Sequence, residues 1–293
     1  MILQLSAGYK IFRLFNYGIL TLLSLAAFIP FYLVVTVSLT NEKSISLRGY
    51  QLFPDQWSLE AYRTLFMNGS TFLQAYKISI MITLLGTLLS VLVTCLLAYA
   101  ISRKHLRYRN KIALFVYFTM LFNGGIVPWY IIVSKLGLVD NILALFVPLL
   151  VNAWNVFLIR NYFRAIPDAI VESATIDGAG DLRIFFQIIM PLALPGLATI
   201  TLFYMLGYWN DWWNALMLIN DRELYPLQFL LRQILSTVLY ATSSDSMVTN
   251  VGQLPAEGIK MATCVLTVGP IIFVYPFIQK YFIKGLIVGS VKG

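Results

Sequence analysis

The ionisable groups that could take part in chemistry are concentrated in one polar segment, residues 164–187, which lies between two apolar stretches. This segment contains four acids, which are Asp168, Glu172, Asp177 and Asp181. Exposed carboxylates form charge-assisted hydrogen bonds with basic groups, and such bonds are stronger than neutral ones. By itself, this composition favours a solvated loop between two helices.

The sequence motifs of catalytic sites are missing, and we predict no catalytic site and no metal site. The sequence has no GxxxxGK[ST] phosphate-binding loop, no GxSxG motif, and no HExxH or other zinc-binding spacing. The single histidine, His105, lies in the basic stretch SRKHLRYRNK, where a solvated or lipid-facing position is expected. Cys95 and Cys264 fall in apolar stretches and are expected to be packed membrane residues. A membrane enzyme is therefore disfavoured.

The polar segment carries local signals for two short helices joined by a turn. Pro167 suits the first turn of a helix, and the negative charge of Asp168 beside it complements the helix dipole. The pair Asp177-Gly178 predicts the end of this helix, because glycine accepts the backbone conformation of a helix stop. Asp181 is a suitable cap for a second helix, and Pro191 marks the next boundary.

The elements around the polar segment must be membrane-spanning helices. The chain has 293 residues, of which 59% are hydrophobic and 12% charged, whereas soluble domains average about 25% charged residues. A span needs about 20 mostly apolar residues, and no cleavable signal peptide is expected. We predict an all-α membrane protein that forms a single domain over residues 1–293. Its six spans are predicted at about 14–39, 76–101, 112–134, 141–163, 188–218 and 259–282.

The distribution of basic residues predicts the orientation of these spans. If both termini are cytoplasmic, the inner segments carry thirteen of the 21 Lys and Arg residues but only four acids. The outer segments then carry eight basic residues and nine acids. An excess of positive charge is typical of cytoplasmic loops. This topology accounts for the net charge of +8 without a nucleic-acid partner.

Polar residues in the middle of two spans are candidates for a translocation pathway. Asn152, Trp154 and Asn155 lie roughly 16–21 Å along the fourth span at about 1.5 Å per residue. Asn123 precedes two glycines at a similar depth in the third span, which predicts a broken helix. Polar groups at this depth must face other helices or water rather than lipid. Helix packing and pathway lining both satisfy that requirement, and the sequence leaves the two alternatives open.

The stretch WNDWW at residues 209–213 also has two interpretations. Its tryptophans could belong to the aromatic belt at the outer interface. Alternatively, Trp209, Asn210 and Asp211 could bind a sugar, because rings cover its apolar face while amide and carboxylate groups bond its hydroxyls. Asp211 would repel an anionic cargo unless the carboxylate were turned away or paired.

The polar segment resembles the EAA loop of binding-protein-dependent ABC importer permeases, whose pattern is EAA, three residues, glycine, nine residues, then I-x-L-P. Five positions match, namely Glu172, Ala174, Gly178, Ile188 and Pro191. Ser173 replaces the second residue of the pattern and Met190 replaces its leucine. FNGGIVPWY, GYWNDWWNAL and the terminal GLIVGSVKG extend the resemblance over nearly the whole chain. They are similar to the smaller permeases of the maltose type, within the polysaccharide-importing subgroup that includes alginate importers.

The resemblance implies a type I importer permease fold, with a cytoplasmic coupling helix, in a bacterial inner membrane. It also implies four kinds of partner: a second permease chain, two ATPase subunits, an extracytoplasmic substrate-binding protein and a saccharide. This chain would hold no cofactor, since ATP and Mg²⁺ would be bound by the ATPases. Coupling to the ATPases is implied for Glu172, Ala174, Asp177, Gly178 and Pro191. The tail residues Gly289, Val291, Lys292 and Gly293 would reach between the ATPases.

Two other functions remain as alternatives to saccharide uptake. One is an ABC importer permease for a different class of solute. The other is a secondary transporter, but such carriers often place ionisable residues near the midplane for ion coupling. The central parts of the six predicted spans contain almost none.

Overall fold

A computed structural model of the chain describes residues 7–67, 69–243 and 256–290, and these residues are mostly helical. No β-strand occurs among them; an isolated bridge joins Thr40 and Trp57. The first helices are α1 (Ala7–Ser38), α2 (Glu42–Arg48), α3 (Glu60–Phe66), α4 (Gly69–Ser102), α5 (Arg109–Leu121), α6 (Ile126–Lys135) and α7 (Ala153–Ala165). The others are α8 (Asp168–Ile176), α9 (Asp181–Ile184), α10 (Met190–Leu192), α11 (Leu194–Trp209), α12 (Trp213–Leu218), α13 (Leu227–Ser243) and α14 (Ala256–Ser290). The all-α fold predicted from the sequence is therefore confirmed.

The contacts of the chain divide it into two compact units, and the single domain expected from the sequence stays a prediction. One unit comprises residues 1–69 and 234–269, and the other comprises residues 70–233 and 270–293. In the first unit the Glu42 carboxylate accepts hydrogen bonds from the N–H groups of Glu257 (3.0 Å) and Gly258 (3.1 Å), at the start of α14. A negative charge at this position satisfies free N–H groups and complements the helix dipole.

Helices long and apolar enough to cross a membrane occur at most of the predicted spans. Two are continuous, within α1 and α4, and three are pairs of helices with a bend at a short break. The pairs are α5 with α6, residues 142–149 with α7, and residues 181–192 with α11. The sixth predicted span, 259–282, lies within α14, and many of its side chains are outside the described part of the chain.

The third predicted span is broken where the sequence places Asn123 and two glycines. Helices α5 and α6 meet there at 118°. Gly125 has a φ of +86°, which glycine adopts without steric cost. The Asn123 side chain accepts a hydrogen bond from the N–H of Gly125 at 2.9 Å, so it satisfies one donor at the start of α6. The predicted break is present in the structure.

The fifth predicted span, 188–218, is not a continuous helix. The segment 181–192 meets α11 at 86°, and α11 ends at Trp209, before α12 begins. Residues 185–189 form a π-helix, in which the N–H of Met190 donates to the carbonyl of Phe185. Pro191 and Pro195 lack the N–H that would continue a regular helix, so the chain bends between them. Sequence hydropathy alone joined these pieces because all of them are apolar.

Helix α13 lies between the fifth and sixth predicted spans, where no helix was predicted from the sequence. Its buried side chains include Leu227, Leu230 and Leu231, whereas Arg232 is exposed. The Arg232 guanidinium lies 3.5 Å from the ring centroid of Trp212, within the range of a cation–π interaction. The helix was missed because it is amphipathic and shorter than a membrane span.

The carboxylate of Asp140 connects the loop after α6 to the loop after α12 by hydrogen bonds. Asp140 accepts hydrogen bonds from the N–H groups of Asp221 (2.8 Å) and Asn220 (2.9 Å). These two bonds hold the pKa of Asp140 below its usual range. Its backbone has a φ of +60°, which aspartate and asparagine tolerate better than most residues.

We expect Asp140→Asn to lower thermal stability at neutral pH, because it removes the charge that the two N–H groups bind. Asparagine also tolerates this backbone conformation, so the effect reports the charge alone. The folded-state pKa is lowered, so the stabilisation is complete above the unfolded value of about 3.9 and is lost as the pH falls through the folded value. The melting temperatures of the wild type and the variant, measured from about pH 7 to pH 3, should therefore converge in acid. A difference that is independent of pH would contradict this role of the charge.

Candidate functional site

The polar segment forms helix α8, which ends in a specific hydrogen-bonded turn. The N–H of Gly178 donates to the carbonyl of Thr175 (3.0 Å), and the N–H of Ala179 donates to that of Ala174 (2.9 Å). These bonds define a Schellman motif, which requires a left-handed residue after the helix. Gly178 supplies it with a φ of +80°. The helix end predicted at Asp177-Gly178 is thus present.

Apolar side chains are exposed at the end of α8 and in the helix that follows it. Ile176 at its last position is 86% exposed, and Leu182 in the following helix is 67% exposed. Glu172 and Asp177 are exposed beside them. Exposed apolar side chains rimmed by charged groups are typical of a surface that binds another protein.

The opposite side of α8 packs on the chain's own core. Ala174 and Val171 are half-buried and lie against a cluster that includes Phe163 and Phe185. A small residue at position 174 therefore allows α8 to approach this cluster. The first turn of α8 is held by an ion pair between Asp168 and Lys104, in the loop after α4. The hydrogen bond and charge of Lys104 lower the pKa of Asp168.

A polar cavity lies between α7 and α11, and its volume is about 420 Å³. It brings together residues that the sequence placed far apart, because Asn152, Trp154 and Asn155 share it with Asp211. Asn155 is buried, with 5% of its surface exposed, whereas Trp154 is 59% exposed. Tyr204, Tyr208, Phe203, Gly207 and Leu149 complete the lining. The mixture of aromatic and hydrogen-bonding groups is suited to a sugar, which has both hydroxyls and apolar faces.

Asp211 lines the cavity, but its carboxylate is occupied by hydrogen bonds. It accepts from the N–H groups of Trp213 (3.1 Å) and Asn214 (3.3 Å) and from the Asn214 side chain (2.8 Å). These bonds cap the start of α12. The carboxylate is therefore a structural cap at the edge of the cavity, held by uncharged donors.

Three other predicted pathway residues lie outside the lining of this cavity. Trp209 is buried and lines a separate apolar cavity of about 350 Å³, where its ring lies 6.4 Å from that of Tyr76. The Asn210 amide donates to the carbonyl of Leu206 at 2.9 Å, at the end of α11. Asn123 accepts a hydrogen bond from the N–H of Gly125, just before α6. The structure thus divides the WNDWW stretch between two environments.

The residues predicted to reach the ATPases lie at two places in the chain. Four of the five in the loop, Glu172, Ala174, Asp177 and Gly178, belong to α8 and its turn, and Pro191 follows in α10. Gly289 is in the last turn of α14, whereas Val291, Lys292 and Gly293 lie outside the described residues. Coupling and tail contacts therefore stay predictions.

Five residues of the cavity lining were not predicted from the sequence, and two of them, Tyr204 and Tyr208, carry hydroxyl groups. Both are buried, with 5% and 4% of their surfaces exposed, and they lie one helical turn apart on α11. Their spacing of four residues on an apolar helix was the available signal, because a buried tyrosine hydroxyl needs a hydrogen-bond partner.

Comparison with known proteins places these features in a family. Residues 2–288 match the model of the family described as binding-protein-dependent transport system inner membrane component. The polygalacturonan/rhamnogalacturonan transport system permease protein YtcP of Bacillus subtilis (strain 168) is 39% identical over 287 residues, covering 97% of this chain and 99% of the relative. Protein LplC of the same organism is 41% identical over 266 residues, covering 90% and 89%.

One solved structure is similar to nearly the whole chain. It is a chain in the crystal structure of a bacterial ABC transporter involved in the import of the acidic polysaccharide alginate. The two chains are 31% identical and superpose with a TM-score of 0.81, over 94% of this chain and 98% of the other.

Proposed function

The chain belongs to the family of binding-protein-dependent transport system inner membrane components, and on that premise we propose that its polar cavity lines the path of a saccharide. It is a multi-pass, non-catalytic permease subunit of an ABC importer of the sugar and polysaccharide class. It works with a second permease, ATPases that hydrolyse ATP, and a binding protein. The observation that carries the proposal is that Asn152, Trp154 and Asn155 line one cavity, which also has Asp211 at its edge.

The substrate we propose is an oligosaccharide derived from a polysaccharide. The names of YtcP and of the alginate importer, both more than 30% identical to this chain, support this class. The lining supports it chemically, because Trp154 offers a flat ring and Asn155 a buried amide. The cavity has no free carboxylate among its described lining residues, since the only acid there, Asp211, is paired with α12. These donors are uncharged, so they stabilise the negative charge of Asp211 without cancelling it.

The part of the chain that we propose docks to an ATPase is α8 with its turn. The exposed surface of Glu172, Ile176 and Leu182 supports this assignment, because it combines charge with apolar side chains that this chain does not cover. The Lys104–Asp168 ion pair and the packing of Ala174 join α8 to the body of the permease. A displacement of α8 by the ATPases would then be passed on to the helices around the cavity.

The orientation we propose places both termini and α8 in the cytoplasm. In a variant without its two native cysteines, a cysteine at Arg107 should react with a membrane-impermeant maleimide only from the cytoplasmic side. A cysteine at Asp221 should react only from outside. Labelling of the two positions from the opposite sides in right-side-out vesicles would overturn this orientation.

We expect Asn155→Leu to reduce saccharide uptake by roughly 5- to 30-fold, the effect of losing one or two hydrogen bonds of about 1 kcal/mol each. The measurement is uptake of a polygalacturonan digest by proteoliposomes that contain the complete transporter, normalised to folded complex. Asn161→Leu is the matched control, because Asn161 is an exposed asparagine on the same helix, away from the cavity. If Asn155 only packs helices, the melting temperature falls instead and uptake per folded complex is unchanged.

A further inference from the structure

The fourth span is interrupted beside the polar cavity, and the interruption leaves backbone groups without helical partners. Residues 142–145 and 147–149 form two short 3₁₀ turns, and α7 begins only at Ala153. The two parts of the span differ in direction by 52°. Within a membrane, non-helical backbone is tolerated only where its N–H and carbonyl groups find other partners.

The tyrosine hydroxyls of α11 supply two of these partners. Tyr208 donates to the carbonyl of Phe146 at 3.2 Å, between the two 3₁₀ turns. The N–H of Asn152, immediately before α7, donates to the hydroxyl oxygen of Tyr204 at 3.1 Å. One turn of α11 thus bonds to the interrupted stretch at two points, residues 146 and 152.

Each hydroxyl is also bonded to α4, so it is held from two sides. The Tyr208 oxygen lies 2.7 Å from the hydroxyl of Ser90, and the Tyr204 oxygen lies 2.6 Å from that of Thr94. Tyr208 has only one proton, which it gives to Phe146, so Ser90 must donate to Tyr208. All four side chains are buried.

The surface of α4 is shaped to receive the Tyr208 ring. Gly86, Ser90 and Thr94 follow one another at intervals of four residues, which places them on one face of the helix. A Cβ at Gly86 would lie 2.7 Å from Cζ of Tyr208. The ring therefore fits in this position only because residue 86 has no side chain.

We propose that Tyr204 and Tyr208 are positioning residues of the translocation path: they hold the interrupted fourth span so that Asn152 and Asn155 line the cavity. This inference rests on the proposed function of that cavity. The Asn152 side chain in turn accepts from the N–H of Asn155 at 3.2 Å, so the Tyr204 bond reaches both asparagines through the backbone of residue 152. Helix α11 follows α8 in the chain, after α9 and α10. A shift of α11 would move the interruption through the two tyrosine hydrogen bonds.

The first test measures the interruption itself, without transport. Hydrogen-exchange mass spectrometry of the complete transporter in lipid nanodiscs should show faster exchange in a peptide covering residues 146–153 when Tyr204 is changed to Phe. We expect an increase of about fivefold or more at the Asn152 amide, because its acceptor is lost while the ring is kept. Tyr162→Phe is the control, because no hydrogen bond of its hydroxyl is found among the described residues.

The second test measures substrate dependence, using ATPase activity stimulated by the binding protein and a polygalacturonan digest. Tyr204→Phe and Tyr208→Phe should each raise the KM for the digest by about fivefold, with a smaller change in kcat. A residue with only a structural role would instead reduce the amount of active complex and leave the KM of the remainder unchanged.

The two measurements separate failure of this inference from failure of the proposed function. Unchanged exchange at residues 146–153 in Tyr204→Phe would overturn the positioning role. Faster exchange with an unchanged KM would leave the positioning of the interruption intact but overturn the assignment of the cavity to the saccharide path. Faster exchange together with a raised KM supports both.

Discussion

Replacing Gly178 with valine is expected to reduce ATP-driven saccharide uptake by more than about tenfold, because the left-handed backbone at this position strongly disfavours a β-branched residue. Gly178 has a φ of +80°, and the turn that it forms ends α8 with two backbone hydrogen bonds, donated by the N–H groups of Gly178 and Ala179. Relieving the strain would break these bonds and redirect the segment between Glu172 and Asp181. The docking surface proposed for the ATPases would then be lost.

The backbone, rather than added bulk, is the expected cause of this effect. Apart from its two chain neighbours, no described residue has an atom within 4 Å of a Cβ at Gly178. Gly180 is the matched control, because it also has open space around it but has a φ of −74°, which any residue adopts. Gly180→Val should retain uptake, and Gly178→Asn should retain more than Gly178→Val, since asparagine tolerates the left-handed region.

These variants are compared by uptake into proteoliposomes and by co-purification of the ATPase subunits with the permease. Equal uptake by Gly178→Val and Gly180→Val would contradict the conformational requirement at residue 178. Loss of uptake in Gly178→Val with full membrane insertion would agree with a defect in coupling.

Replacing Gly196 with alanine is expected to destabilise the permease by about 1–3 kcal/mol, the usual cost of overpacking a core. A Cβ at this position would lie 2.6 Å from Cγ and Cδ2 of Tyr162 and 3.0 Å from Cδ1 of Ile159. The Cγ atom is at the base of the ring, so the clash cannot be removed by a small rotation. Helix α11 would have to move away from α7.

The melting temperature of the purified transporter measures this effect. Gly207→Ala is the control on the same helix, because a Cβ there has no atom within 4 Å. In a protein that already carries Tyr162→Ala, the change Gly196→Ala should lower the melting temperature by less than it does in the wild type, because the ring that the new Cβ would meet is gone. If Gly196→Ala melted at the same temperature as Gly207→Ala, the close approach of the two helices would be contradicted.

The features that the sequence determined are those with a local physical cause. The apolar stretches indicate membrane helices because lipid requires them, whatever the tertiary structure. Gly178 marks the end of α8, and Asn123 with its glycines marks the break before α6, because turns depend on the backbone preferences of a few adjacent residues. The match of the polar segment to the EAA pattern identified the family for the same reason, since the motif is contiguous.

The tertiary structure decided where separate polar residues meet. Trp209 and Asp211 are two residues apart in sequence, yet one packs in an apolar cavity and the other caps α12 at the edge of the polar one. Hydropathy could not separate these environments, because each is created by helices distant in the chain. The roles of Tyr204 and Tyr208 depend in the same way on Ser90, Thr94 and the interrupted fourth span. A buried hydroxyl takes its partner from whichever helix packs beside it, and only the folded chain fixes which helix that is.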